Sequence, residues 1–88
     1  MKKIYEDIFT KNYPTLDLHG YDRFTASVAA NDFVLENIKL KNNNIAIIHG
    51  VGTGIIKKAV HDTLKSNRFV IEYKLHSFNI GMTLVKLK

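Results

Sequence analysis

Two hydrophobic periods alternate along the chain after residue 14. Thr15-Leu16-Asp17-Leu18-His19 switches between polar and apolar at every step, which predicts a strand. That period sets Leu16 and Leu18 on one face, and Asp17 and His19 on the other, about 6–7 Å apart at Cα. Gly20 turns the chain and Asp22 is placed to cap a helix. Ala26, Ala29, Ala30, Phe33, Val34 and Ile38 then recur at spacings of three and four, a buried helical stripe that predicts a helix to about Lys41. Asn42-Asn43-Asn44 makes the turn, and the nearly continuous apolar run Ile45–His49 suits a strand of a parallel sheet.

Gly50-Val51-Gly52-Thr53-Gly54 leads into a second helix with an inner stripe of Ile56, Ala59, Val60 and Leu64, stopped by Asn67. Phe69, Ile71, Tyr73 and Leu75 alternate with Val70, Glu72, Lys74 and His76 in a third strand. Asn79 and Gly81 carry turn chemistry, and Met82–Leu87 makes a fourth strand, expected antiparallel to the third. The predicted order is β-α-β-α-β-β. It implies an α/β two-layer sandwich, a four-stranded mixed sheet with both helices on one face and the other face open to solvent or a partner. Residues 1–14 read as an N-terminal arm, with Ile4, Ile8 and Phe9 on one short apolar face ended by Pro14, and 15–88 as the domain.

Composition narrows the chemistry. With 88 residues the chain is one domain with a modest core. It has no cysteine, which excludes disulfides, thiolate zinc sites and cysteine nucleophiles. Thirteen Lys and Arg against eight Asp and Glu leave a net charge of +5, a surplus that favours polyanions. The N-terminus lacks the apolar core of a secretory signal and no segment is apolar enough to cross a bilayer, so a cytoplasmic location without membrane contact is expected.

Two motifs carry candidate chemistry. Leu16-Asp17-Leu18-His19-Gly20 ends the first strand, and His49-Gly50-Val51-Gly52-Thr53-Gly54 follows the second. If the strands are parallel neighbours, both motifs reach the sheet edge where α/β sheets place ligands. The glycine loop exposes backbone N–H groups at a helix N-terminus, a cradle for phosphate, and Lys57 and Lys58 add charge one turn on. Asp17, His19 and His49 would then supply acid/base chemistry at a phosphodiester, His near its working pH and Asp orienting it. The Walker pattern fails because Gly54 is followed by Ile55 and Ile56, and a dinucleotide fingerprint fails at Ile55. Asp17, His19 and His49 are usable metal ligands, yet their spacing selects no metal, so a magnesium or manganese cofactor stays open.

Together LDLHG at 16–20, IIHGVGTGIIKKAV at 47–60 and Gly81-Met82-Thr83-Leu84-Val85-Lys86-Leu87 resemble the three signature segments of Smr (small MutS-related) domains. The resemblance covers about residues 15–88. It implies a sandwich similar to the C-terminal domain of bacterial translation initiation factor three, and DNA or RNA binding, often with nicking endonuclease activity. Under it, the first motif's Asp and His fall on Asp17 and His19, and the second motif's residues on His49, Gly50, Gly52 and Gly54. The chain departs from the family in having Phe24 and Thr25 where acidic residues are common, and a short Ser77–Ile80 segment before the last strand. The leading expectation is a nicking endonuclease with catalytic Asp17, His19 and His49, and phosphate on Gly50, Gly52, Thr53, Gly54, Lys57 and Lys58. The alternative is a non-catalytic module binding DNA, RNA or the ribosome. In either case the protein is expected to be a monomer or weak homodimer.

Overall fold

The computed structural model describes residues 13–88, so the predicted Ile4, Ile8 and Phe9 face lies outside the described residues. The elements are β1 (Thr15–Asp17), α1 (Arg23–Lys39), β2 (Asn44–Ile48), α2 (Ile55–Ser66), β3 (Val70–Leu75) and β4 (Met82–Leu87). The sheet order is β1-β2-β4-β3, with β1 parallel to β2 and β4 antiparallel to both of its neighbours. This is the expected mixed sheet.

Side-chain parity decides which face is covered. Leu18, Ile45, Ile47, Val85 and Leu87 pack against Ala26, Ala30 and Val34 of α1 and Val60 and Leu64 of α2 in one buried cluster. Both helices therefore lie on the same face, as the stripes require. The opposite face is less bare than expected: Ala46 and Leu84 are buried there, packed by Tyr13 and Met82.

Local signals set the helix ends. Asp22 accepts the Thr25 N–H at 2.7 Å, and the bond holds its carboxyl below the usual range. Helix α1 stops at Lys39, two residues before its predicted end, because the chain turns left-handed at Lys41 (φ 63°). There Lys41 N–H bonds Ile38 O and Asn42 N–H bonds Asn37 O, the double closure of a Schellman end. Buried Asn37 locks it by donating to Phe33 O and accepting from Asn42 Nδ2.

The third strand departs from its simple alternation. Val70 pairs with Leu87 and Glu72 with Lys86, so Ile71 is an extra residue in the ladder. The bulge moves Ile71 out of phase, leaving it 41% exposed, while Phe69, Val70 and Tyr73 pack on the core.

Candidate functional site

Parallel pairing of Asp17 with Ile48 brings both motifs to the C-terminal edge of the sheet. They meet in a cleft of about 260 Å³ lined by Asp17 to Tyr21 from the first motif, Ile48 to Gly50 from the second, and Ile56 of α2. A smaller hollow of about 190 Å³ adjoins it, formed by His49 to Lys57. Asp17, His19, His49, Gly50, Gly52, Thr53, Gly54 and Lys57 all line one or other of these two hollows. Lys58 does not. It is turned to Asp62 in an exposed pair at 2.9 Å, one helical turn on. A third groove, about 460 Å³, runs between the helices along Arg23, Ser27 and Thr63, and Asp17, His19, His49 and the glycine loop do not line it.

Asp17 and His19 do not share a strand face, because β1 ends at Asp17 and His19 begins a tight turn. Tyr21 N–H closes that turn on Leu18 O at 3.0 Å, and Gly20 takes the positive φ (81°) that its third position requires. The Asp17 carboxylate accepts the backbone N–H of His19 at 2.9 Å, which fixes the turn rather than the imidazole. Asp17 and His19 are both exposed. Among the described residues no group is hydrogen-bonded to the His19 ring.

His49 is the opposite case. It is buried, with Nδ1 2.8 Å from Gly50 O and Nε2 2.8 Å from Thr83 Oγ1. His61 Nε2 reaches the same hydroxyl at 2.7 Å. These partners fix the protons. The Gly50 carbonyl only accepts, so His49 Nδ1 carries the hydrogen and its Nε2 accepts from the Thr83 hydroxyl. His61 Nε2–H then donates to Thr83 Oγ1. The two rings stand edge to face at 5.7 Å, and Tyr73 packs 5.0 Å from His61. Burial lowers the affinity of both imidazoles for a proton, and the nearby Lys57 charge lowers it further.

His61 and Thr83 are the site residues that sequence reasoning passed over. His61 falls on one helical stripe with Val60 and Leu64, both buried, so a histidine beside buried positions was the available signal. The third motif also explains itself here. Gly81 O accepts the N–H groups of both His49 and Gly50, at 2.8 and 3.0 Å. A Cβ at Gly81 would lie 3.2 Å from Gly50 Cα, a tight contact, so a side chain there would push the two backbones a few tenths of an ångström apart.

The glycine loop delivers the chain to α2 with Gly54 as a left-handed N-cap lacking a side-chain cap bond. Lys58 N–H already returns to Gly54 O, and Ile55 N–H makes a long 3.4 Å bond to Thr53 Oγ1. Gly54 to Lys57, the start of α2, line the hollow, and a helix N-terminus beside a lysine is an arrangement suited to an anion. Among the described residues no three His, Asp or Glu side chains converge as metal ligands. Asp17 alone offers the single carboxylate that magnesium commonly takes together with substrate phosphates.

A sequence model of the Smr domain matches residues 16–88. The chain belongs to the Smr domain family. Endonuclease MutS2 of Clostridium beijerinckii is 33% identical over 76 residues, and that of Halothermothrix orenii 37% over 79 residues. These alignments cover 83% and 85% of this chain but 10% of each relative, so the chain spans about a tenth of the length of the curated relatives it matches. The Smr domain of Thermus thermophilus MutS2 superposes with a TM-score of 0.82 at 23% identity, over 85% of this chain and 98% of that one. YdaL, a stand-alone small MutS-related protein from Escherichia coli, gives 0.78 at 21% identity, over 100% and 79%. The Smr fold is thus common to all three chains, and no helix among the described residues is long and apolar enough to cross a membrane.

Proposed function

We propose that this Smr domain binds nucleic acid at the β1–β2 edge and hydrolyses a phosphodiester there, as a nicking endonuclease on DNA or RNA. The observation that carries the reading is the pair of adjoining hollows: one is lined by a carboxylate and an imidazole that is unengaged among the described residues, the other by a glycine-rich anion cradle with Lys57. A backbone phosphate on the cradle would sit against the α2 N–H groups, with Lys57 offsetting its charge. Relatives named endonuclease agree with this.

The two histidines take different roles. His19, exposed and without a ring partner among the described residues, is the general acid/base. It takes a proton from the attacking water as the water oxygen bonds to phosphorus and the bond to the leaving sugar oxygen breaks; that oxygen takes a proton from solvent. His49, engaged at both nitrogens, is a positioning residue that holds the Gly50 end of the cradle. Asp17 fixes the His19 turn and would be the carboxylate for a divalent ion, if magnesium or manganese is used.

One observation favours the simpler reading of a module that only binds. The first turn of α1 carries no acidic residue, and among the described residues Asp17 is the only carboxylate lining the cleft. Binding is tested by fluorescence anisotropy with labelled DNA and RNA across a salt series. Affinity should fall steeply with salt, and Lys57→Ala should weaken it and flatten the slope by about one charge. Absence of binding at low salt would end both readings.

A further inference from the structure

Nine large apolar residues are exposed among the described residues, and six of them sit on the three loops and helix starts at this one edge. Tyr21 and Phe24 flank the first motif, Val51 and Ile55 the glycine loop, and Phe78 and Ile80 the β3–β4 turn. Exposed apolar side chains gathered at one end of a domain mark an interaction site more often than scattered ones do. Phe78 is the extreme case, at 90% exposure, with Phe24 at 77%.

The turn that carries Phe78 is built rather than loose. His76 Nδ1 accepts the N–H groups of Phe78 and Asn79, both at 3.1 Å, and its ring lies 6.1 Å from that of Phe78. Asn79 Oδ1 accepts the Gly81 N–H at 3.0 Å, and Gly81 O holds His49 and Gly50. A hydrogen-bonded path therefore ties an aromatic ring standing in water to the rim of the phosphate cradle. Phe78 is three residues from Gly81, within about 11 Å of it along the backbone. Apart from its contact with His76, that ring stands almost wholly in solvent.

We infer that this rim, Phe78 first, stacks on unpaired bases of a nucleic acid whose backbone lies on the glycine loop. The inference rests on the nucleic-acid reading above and adds a substrate class: single-stranded or splayed segments in preference to continuous duplex. Charge chooses the occupant. A chain of net charge +5 with Lys57 and helix N–H groups beside the patch repels a second copy of itself and attracts a polyanion. The faces of unpaired bases are free to stack on aromatic rings, whereas those of a duplex are covered by their neighbours.

The test compares wild type, Phe78→Ala and Phe78→Trp on single-stranded and duplex oligonucleotides of equal length. Phe78 is so exposed that neither change should affect folding. Phe78→Ala should lower single-strand affinity by about 5- to 100-fold, leave duplex affinity nearly unchanged and keep the same salt slope. The chain has no tryptophan, so Phe78→Trp adds a single reporter whose emission should be quenched by a saturating single strand. Unchanged single-strand affinity in Phe78→Ala, an equal loss on both forms, or Trp emission that does not move at saturation would overturn the inference. A wild-type dimer that Phe78→Ala converts to monomer in sedimentation would overturn it too. Failure of wild type to bind either form would instead remove the nucleic-acid reading itself.

Discussion

The Thr83 hydroxyl stands 2.8 Å from Nε2 of His49, joining residues 34 positions apart in the chain. Through that bond and the Gly81 carbonyl, the start of β4 holds the loop that follows β2. The cradle is thereby braced from the sheet side, and its geometry depends on groups that touch no ligand. Thr83→Val keeps the shape but removes the hydroxyl, leaving buried imidazole nitrogens unpaired. It should cost about 1–3 kcal/mol in urea unfolding, with Thr83→Ser recovering most of the loss. A neutral Thr83→Val would show that the hydroxyl bridge contributes little.

The same pair sets a pH dependence. Both His49 and His61 hold protons less firmly in the fold than in the unfolded chain, chiefly through burial. Below the unfolded value of about 6.5 the unfolded chain binds more protons, so stability falls as pH drops. The contribution is complete above that value and is lost progressively below it. Unfolding midpoints measured between pH 7.5 and pH 5 should decline, and His61→Gln should decline less steeply. An equal decline in both proteins would assign the effect to other groups.

Lys41 holds the left-handed position that closes α1, a conformation that disfavours a side chain. Lys41→Gly should therefore stabilise the domain by about 1 kcal/mol, seen as a rise of roughly 4–8 °C in Tm. A fall in Tm would mean that the Lys41 side chain has packing that outweighs the backbone strain.

Much of this was readable in the sequence for definite reasons. Leu16-Asp17-Leu18 and Ile45–Ile48 carry strong periods, and the glycines after them mark where each strand ends, so both motifs reached one edge as expected. What escaped was non-local. The extra residue at Ile71 is defined only against Leu87 and Lys86 across the ladder, and no local pattern announces it. The His61–Thr83 contact spans 22 positions and needs the packing of α2 on β4. His19 leaves the strand because a turn hydrogen bond and the Gly20 conformation override simple alternation.

Gly52 separates fold from binding. Its φ is not in the left-handed region and a side chain there would meet open space, so the fold does not require glycine at this position. Gly52→Ala should leave thermal stability unchanged or raise it by about 0.4–1 kcal/mol. It should weaken oligonucleotide binding, because the added methyl group occupies room in the cradle. Full affinity in Gly52→Ala would move the phosphate away from this loop.

The most direct measurement is cleavage of supercoiled plasmid and labelled structured RNA by wild type, Asp17→Ala and His19→Ala, with and without magnesium or manganese. Asp17 and His19 are exposed, so the folds should persist and be checked by circular dichroism. The expected result is cleavage by wild type that falls about 10²-fold or more in His19→Ala and also falls in Asp17→Ala, with binding retained. Cleavage that persists in both variants, or wild type that binds both substrates and cuts neither, would contradict hydrolysis at this edge.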